Sequence, residues 1–236
     1  MQAIILAAGM GKRLGKLTQN NTKCMVEVGG VRLIERALYI LDKKNLSRIV
    51  MVVGYQCENL MQFVDGLGID TPVEYIINEV YDRTNNIYSL SMAKDWLVKE
   101  DTLLLESDLI FEEALIDLLL EDSRETLALV DKFENWMDED DRIVDFIPGK
   151  LLEYSQKERY YKTVNIYKLS ADFSRNVYVP FLEAYARVMG NNEYYEAVIK
   201  LILMLDKKST TSEFLHNLFL QHQLDLVPEI ELSSND

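Results

Sequence analysis

Short apolar runs alternate with longer stretches of helical periodicity along the first 130 residues of the chain. The runs are rich in Ile, Val and Leu, which is typical of buried strands, and the stretches between them repeat apolar residues at helical spacing. This β-α alternation predicts a doubly wound, mostly parallel, Rossmann-like sheet flanked by helices. The predicted strands span residues 3–6, 48–53, 73–77, 102–105 and 126–131, and the predicted helices span 31–44, 58–64, 87–97 and 112–121.

The pattern beyond residue 131 is less regular, and no linker-like stretch separates it from the first part. We therefore expect a single domain over residues 1–236, with a regular part at about 1–131 and an accessory subregion, antiparallel in part, at about 132–236. In this second part the predicted strands span 143–147 and 162–169, and the predicted helices span 171–189, 193–205 and 213–222.

The first predicted strand leads into a glycine-rich loop that carries cations. Gly9, Gly11 and Gly15 follow two alanines, and such residues leave room for a bulky anion to approach the backbone. Residues 1–26 contain four cations and no Asp or Glu, whereas the chain has 39 acidic residues, 25 basic residues and a net charge of -14. Positive charge gathered on one loop of an acidic protein indicates a phosphate-binding site. The four cations are Lys12, Arg13, Lys16 and Lys23.

Two common phosphate-binding loops are excluded by their spacing. A dinucleotide-binding loop has glycine at the sixth position of Gly-x-Gly-x-x-Gly, and counting from Gly9 that position holds Leu14. A Walker loop has four residues between its glycines and ends in Lys-Ser or Lys-Thr. Here five residues separate Gly9 from Gly15, and Leu17 follows Lys16. The loop therefore belongs to a different class of phosphate site.

Four segments of the sequence resemble one family of enzymes. Residues 6–13 (LAAGMGKR) and 22–30 (TKCMVEVGG) resemble the signature of nucleotidyltransferases, which join a nucleotide to a phosphorylated small molecule. Residues 85–90 (NNIYSL) and 106–108 (ESD) are more similar to the phosphocholine and 2-aminoethylphosphonate cytidylyltransferases than to the sugar-phosphate enzymes. The resemblance covers about residues 1–200. It implies Mg²⁺-dependent transfer of a cytidylyl group from CTP to phosphocholine or 2-aminoethylphosphonate, with release of pyrophosphate.

The resemblance and the residue chemistry together define an expected nucleotide site. Attack on the α-phosphorus requires two anions to be positioned and developing charge to be neutralised. Arg13 and Lys23 are expected to hold the phosphates. Asp108 follows an apolar strand and is the expected ligand of Mg²⁺, which typically takes one or two carboxylates plus substrate phosphates; a helix cap is its alternative role. The residues expected to bind the nucleotide are Leu6, Ala7, Ala8, Gly9, Met10, Gly11, Lys12 and Asn86.

The acceptor site is expected in the second part of the chain. An ammonium group is held by aromatic faces and carboxylates, which Trp136, Glu193 and Tyr194 would supply. Core packing is the alternative role for these aromatic residues. Lys162 is expected to contact the acceptor phosphate. Because the second pKa of a phosphate monoester is about 6, the acceptor is already ionised at neutral pH and no general base is required.

One feature of the resembling family is missing from the sequence. Its members usually carry, near the end of the catalytic domain, an aromatic-Glu-Ile-Asp strand that supplies a second metal carboxylate. The nearest candidates here are Glu229 and Glu231, in a polar C-terminal stretch that offers poor support for a metal ligand. We therefore expect weak Mg²⁺ affinity relative to a chain with the full motif.

Composition limits the partners and the compartment. A pI near 4.7 argues against nucleic-acid binding, which depends on cation-rich faces. Two cysteines give no disulfide framework, and the N-terminal apolar run is too short for a signal peptide or a membrane insertion, so we expect a cytoplasmic protein. A homodimer is compatible with the sequence. A sugar-1-phosphate nucleotidyltransferase, or a weakly active nucleotide-binding domain of a larger fusion, are the alternative functions.

Overall fold

The structure, a computed structural model, describes residues 1–18, 21–133 and 160–206. Its strands are β1 (Gln2–Ala7), β2 (Glu27–Val28), β3 (Val31–Arg32), β4 (Ile49–Val53), β5 (Val73–Ile77), β6 (Thr102–Glu106), β7 (Leu127–Phe133) and β8 (Tyr160–Leu169). Six of them form one sheet in the order β5-β4-β1-β6-β8-β7, and β2 and β3 form a separate hairpin.

The central sheet is mostly parallel, as predicted. β5, β4, β1 and β6 run parallel to one another, and β8 runs antiparallel to both of its neighbours, β6 and β7. β1 and β4 are buried along their whole length, which explains why they read as continuous apolar runs in the sequence. The antiparallel strand predicted at 162–169 is also confirmed, and it begins slightly earlier, at Tyr160.

Helices cover both faces of the sheet. They are α1 (Leu33–Asp42), α2 (Cys57–Asp65), α3 (Asn86–Met92), α4 (Lys94–Leu97), α5 (Glu113–Glu121), α6 (Ala171–Phe173), α7 (Val179–Met189) and α8 (Glu196–Asp206). Short 3₁₀ turns span Lys12–Thr18, interrupted at Gly15, and Lys23–Met25.

Two hydrophobic layers hold the helices to the sheet. On one face Ile5 packs in a core with Ile34 of α1 and with residues of α2 and α5. On the other face Ile4 packs in a core with Ile87 of α3 and with residues of α7 and α8. Adjacent residues of a strand point to opposite faces, so one continuous run of apolar residues fills both cores.

The helix predicted at 31–44 begins later than expected, at Leu33. Gly29 and Gly30 adopt φ values of 63° and 82°, a left-handed conformation that glycine reaches without a side-chain clash. These two residues turn the chain into the hairpin of β2 and β3. The first residues of the predicted helix therefore pair as a strand.

Other helix predictions were wrong at their boundaries. The predicted helix 87–97 is divided at Ala93 into α3 and α4, and the predicted helix 193–205 begins only at Glu196. The long helix predicted at 171–189 contains a π-helical turn over Ser174–Tyr178. The strand predicted at 143–147 and the helix predicted at 213–222 lie outside the described residues. In the part of the chain that the structure describes, no helix is long and apolar enough to cross a membrane.

Candidate active site

The carboxyl ends of β1 and β6 meet where the order of the sheet reverses. From β1 the chain adds β4 and β5 on one side, and it then returns to place β6 on the other side. The two ends are joined by the Ser107 backbone N–H, which donates to the Leu6 carbonyl oxygen with an N–O distance of 3.2 Å. In open α/β sheets ligands bind at such a reversal point. The glycine-rich loop after β1 and Asp108 after β6 both lie there.

The glycine-rich loop is packed closely against the segment that carries Lys23. Ala8 is buried, and its carbonyl oxygen accepts a hydrogen bond from the Tyr55 backbone N–H at 3.2 Å. Gly11 has φ 61°, and a Cβ atom at this position would lie 2.9 Å from the Lys23 Cβ. Only glycine therefore fits at position 11 without a shift of the chain.

Lys23 and Asp108 form an ion pair across the reversal point. Lys23 opens a short 3₁₀ turn after the glycine-rich loop, and Asp108 lies two residues beyond the end of β6. Both side chains remain partly exposed, with 36% and 22% of their surfaces accessible to solvent. The motif residues predicted to hold phosphate and metal are thus brought together at one edge of the sheet.

The buried Cys24 links the backbone segments that carry this ion pair. Its thiol is hydrogen-bonded to the Thr22 hydroxyl, with an Oγ1–Sγ distance of 2.9 Å, and also to the Ser107 side chain. Burial raises the pKa of the Cys24 thiol to about 11, although these hydrogen bonds oppose the shift. Cys24 therefore acts as a small packing residue with a polar contact on each side, and its thiol stays protonated at neutral pH.

A second polar cluster lies beside the ion pair, on the face covered by α3 and α8. The Asn86 Nδ2 donates to Glu106 Oε1 at 3.0 Å and to Glu196 Oε2 at 3.3 Å. The Asn86 Oδ1 accepts from the Tyr195 backbone N–H at 2.9 Å. The end of β6 and the start of α8 are therefore joined through one side-chain amide.

Burial is the main cause of the raised pKa of the Glu106 carboxyl group. Desolvation and the nearby charge of Glu196 raise its pKa to about 8, while the Asn86 hydrogen bond and the charge of Lys23 act in the opposite direction. Desolvation penalises the charged form of a carboxyl group, and a like charge adds to that penalty. No separate role was predicted for Glu106, which belongs to the ESD segment at residues 106–108.

All of the predicted nucleotide-binding residues lie in the described part of the chain, and all except Asn86 belong to the end of β1 or to the glycine-rich loop. Leu6, Ala7 and Ala8 are buried at the end of β1, while Gly9 and Lys12 are exposed and Met10 is half-buried. Arg13 lies in the 3₁₀ turn that follows, and only its backbone position is described. Asn86 is held by internal hydrogen bonds, as described above. The binding roles of these residues stay predictions.

The predicted acceptor-binding residues are only partly covered by the structure. Lys162 lies in β8, where it is paired with Asp131 of β7, and its side chain is outside the described part. Glu193 is half-buried and Tyr194 is 56% exposed, just ahead of α8. Trp136 lies outside the described residues, as do the two metal candidates Glu229 and Glu231.

Asp108 suits Mg²⁺ as a single protein carboxylate. Among the described residues no group of three or more His, Cys, Asp or Glu side chains is arranged to hold a metal ion. Mg²⁺ is commonly held by one or two carboxylates together with substrate phosphates, so one carboxylate beside a phosphate loop is a sufficient protein contribution. The metal-binding role of Asp108 stays a prediction.

The described fold is an open α/β sheet that carries a glycine-rich loop and the Lys23–Asp108 pair at its reversal point. Residues 3–138 match the family described as the MobA-like NTP transferase domain. The match covers more than half of the chain, and the protein belongs to this family.

Several curated relatives are cytidylyltransferases. The CTP:phosphoglutamine cytidylyltransferase of Campylobacter jejuni is 28% identical over 216 residues, which cover 83% of each chain. The CMP-5'-(3-aminopropyl)phosphonate synthase of Streptomyces rubellomurinus is 27% identical over 218 residues, which cover 84% of this chain and 33% of that protein. The chain thus spans about a third of the second relative. The choline-phosphate cytidylyltransferase of Streptococcus pneumoniae is 38% identical over 97 residues, or 41% of each chain.

Solved structures share the fold. The CTP:phosphocholine cytidylyltransferase of Streptococcus pneumoniae superposes with a TM-score of 0.59 at 23% identity, over 84% of this chain and 83% of the other. The inositol-1-phosphate CTP transferase of T. maritima gives a TM-score of 0.62 at 19% identity, over 87% of this chain and 81% of the other. These similarities confirm the predicted Rossmann-like architecture.

Proposed function

We propose that this protein is a Mg²⁺-dependent cytidylyltransferase, which transfers CMP from CTP to a small phosphorylated or phosphonate acceptor. The observation that carries the proposal is the Lys23–Asp108 ion pair beside the glycine-rich loop, at the reversal point of the sheet. A cation for phosphates and a carboxylate for a metal ion are the two charges that a bound metal–triphosphate requires. The cytidylyltransferase names of the relatives support CTP as the donor.

The proposed reaction is an in-line displacement. An oxygen of the acceptor phosphate or phosphonate forms a bond to the α-phosphorus of CTP, and the bond between that phosphorus and the oxygen bridging to the β-phosphate breaks. The electron pair leaves with pyrophosphate. Because the attacking oxygen is ionised at neutral pH, the protein has to position the two anions and does not have to remove a proton.

Each residue of the site has a separate task in this reaction. The backbone of residues 8–11 would seat the triphosphate, and Lys23, together with Arg13, would neutralise charge on the leaving pyrophosphate. Bound Mg²⁺, held by Asp108, would polarise the phosphoryl oxygens. In the structure, Lys23 and Asp108 form an ion pair with each other. Substrate binding would therefore exchange one ion pair for two, lysine with phosphate and carboxylate with metal.

The acceptor is proposed to carry a nitrogen-bearing group. The names of the relatives specify phosphoglutamine, aminopropylphosphonate and choline phosphate, and each of these combines a phosphorus oxyanion with such a group. The proposed contacts are Glu193, Tyr194 and Trp136 for the nitrogen end and Lys162 for the oxyanion. Glu193 and Tyr194 lie three and two residues ahead of Glu196, the first residue of α8, which is hydrogen-bonded to the Asn86 amide beside the Lys23–Asp108 pair.

A pyrophosphate-release screen tests the function directly. CTP, UTP, ATP and GTP are each combined with phosphocholine, 2-aminoethylphosphonate, phosphoglutamine and sugar 1-phosphates in the presence of Mg²⁺. We expect release with CTP and one of the nitrogen-bearing acceptors, and no release in the D108N variant. Release only with a sugar 1-phosphate would replace the proposed acceptor class. No release with any pair would contradict the proposed function.

A further inference from the structure

The amide of Asn86 lies at a junction of three parts of the protein. Its Nδ2 donates to Glu106 at the end of β6 and to Glu196 at the start of α8, and its Oδ1 accepts from the Tyr195 backbone. We call Asn86 and its three partners, Glu106, Glu196 and Tyr195, the Asn86 junction. Both donor hydrogens and the carbonyl oxygen of one side chain are used within the protein.

The backbone on either side of Asn86 holds the same segment. The Asn85 N–H donates to the Asn191 carbonyl at 2.9 Å, and the Ile87 N–H donates to the Glu193 carbonyl at 3.3 Å. Three consecutive residues at the start of α3 therefore bind residues 191–195, the stretch that includes the acceptor candidates Glu193 and Tyr194. The first turn of α3 thus sets the position of this segment.

The junction also leads to the proposed metal ligand. Glu106 ends β6, and Asp108 follows two residues later. The intervening Ser107 is fixed through its backbone N–H to Leu6 of β1. A short, fully connected path therefore runs from segment 191–195 through the Asn86 amide to the strand end that presents Asp108. Short loops and paired backbone leave little freedom along this path.

Only an asparagine meets the chemical demands of the junction. Aspartate would lose both donors and place a third carboxylate between Glu106 and Glu196. Alanine would leave the two carboxylates facing each other without a shared donor. Glutamine is one methylene longer and would move the amide away from at least one partner.

We propose that Asn86 is a positioning residue, which fixes the acceptor-binding segment 191–195 relative to Asp108. The proposal rests on the proposed cytidylyltransferase function and replaces the direct nucleotide contact predicted for this residue. Its consequence is specific: loss of the junction misplaces the acceptor against the reacting phosphorus, while CTP still binds on the glycine-rich loop. The acceptor KM and kcat should change, and the KM for CTP should not.

Steady-state kinetics of N86A and N86D, with CTP and the best acceptor of the screen varied in turn, test this division. Loss of a supporting hydrogen bond around a reactive site typically costs about 10- to 100-fold in activity, and we expect kcat/KM for the acceptor to fall by that factor. The KM for CTP should stay within about twofold of the wild-type value, which is less than the loss of one neutral hydrogen bond produces. A rise of the CTP KM with an unchanged acceptor KM would overturn the proposal and restore the nucleotide-binding role.

The matched control is N176D. Asn176 is exposed, and its Nδ2 donates to the Asp172 carboxylate at 2.8 Å, so the substitution makes the same chemical change beside a carboxylate. Its neighbour Arg175 contacts the Val98 carbonyl, ahead of β6, at the end of the sheet opposite the candidate site. We expect wild-type kinetics from this variant. If N176D and N86D lose the same activity, a general effect of the added charge is responsible and the proposal fails.

Amide hydrogen exchange supplies a readout that does not depend on turnover. The Tyr195 N–H is protected by the Asn86 side chain, so its exchange should accelerate in N86A while amides of β1 and β4 remain protected. If the wild type turns over no substrate but this pattern is seen, the proposed function fails and the structural junction stands. Unchanged exchange at Tyr195 would overturn the junction itself. If N86A does not fold, E196A, which removes the oxygen that accepts from the Asn86 Nδ2, should still raise the acceptor KM; an unchanged value would contradict the proposal.

Discussion

Gly54 is the residue at which the smallest change should disturb the nucleotide site most. It follows β4, and a Cβ added there would lie 2.7 Å from the Tyr81 Cβ, 2.9 Å from the Ala8 carbonyl oxygen and 3.0 Å from the Ala8 Cβ. Ordinary van der Waals contact begins at 3.4 Å. None of these atoms is the far end of a flexible side chain, so G54A must push the glycine-rich loop away from the loop that carries Tyr81.

The size of the effect follows from these distances. Forcing one extra carbon into a closely packed place typically costs about 1–3 kcal/mol, and three simultaneous short contacts favour the upper half of that range. The displaced atoms include the backbone of Ala8, in the loop proposed to seat the triphosphate. We therefore expect the KM for CTP to rise together with the loss of stability.

Urea unfolding followed by circular dichroism measures the change in stability, and the matched control is G66A. Gly66 ends α2 with φ -82°, and its nearest non-neighbour atoms are the carbonyl oxygens of Phe63 and Gln62, at 3.4 and 3.5 Å. Alanine fits there and should be neutral or stabilising by about 0.4–1 kcal/mol through the unfolded chain. Equal unfolding midpoints for G54A and G66A, with an unchanged KM for CTP, would refute the reasoning.

Four further outcomes are expected. K23A should lower kcat by about 10²–10³-fold, because a preorganised charge is lost from the transition state, with little change in the thermal midpoint; near-wild-type turnover would remove Lys23 from the site. D108N should lose Mg²⁺-dependent activity in a metal titration while it stays folded; retained activity with an earlier unfolding transition would make Asp108 a structural partner of Lys23, since the cap of α5 is Glu112. Cys24, with a pKa raised to about 11 by burial, should resist dithiobis(nitrobenzoate) at pH 8 in the native protein, whereas the half-buried Cys57 should react first; two fast thiols would contradict this. Because the folded-state pKa of Glu106 is raised to about 8, its protonation contributes stability that is complete below the unfolded value of 4.5 and is lost as the pH rises through 8. E106Q should therefore gain stability relative to wild type between pH 5 and pH 8 in EDTA-treated protein, at no more than about 1.4 kcal/mol per pH unit; a difference independent of pH would refute the shift.

The centre of the sheet was predictable because β1 and β4 are buried on both faces. β1 and β4 contain uninterrupted apolar residues, and a strand of that kind can be recognised without knowledge of its neighbours. Lys23 and Asp108 could likewise be found from local motifs, since each stands beside a recognisable loop or strand end. The prediction that these two residues serve one site also needed the parallel order of β1 and β6, which the β-α alternation implied.

Long-range contacts and short turns were not predictable from the pattern. Asn86 contacts Glu106 at a separation of 20 residues and Glu196 at a separation of 110, and no local periodicity reports such contacts. The hairpin at Gly29 and Gly30 was missed because the apolar residues that follow have helical spacing from the first position onward. The contacts of Asn86 depend on the tertiary fold, whereas the hairpin depends on the left-handed conformation of Gly29 and Gly30.

The position of β8 determines which part of this chain can fold by itself. β8 lies between β6 and β7, so Thr102 is paired with Leu169, and β7 has β8 as its neighbour at the border of the sheet. The family match, however, ends at residue 138, ahead of β8. A fragment cut to the matched segment would leave one side of β6 with a row of unpaired N–H and C=O groups, which recruits other chains into aggregates. During synthesis the nascent protein must therefore reach residue 169 before the strand that presents Asp108 is enclosed, and we expect a fragment that ends with the family match to aggregate.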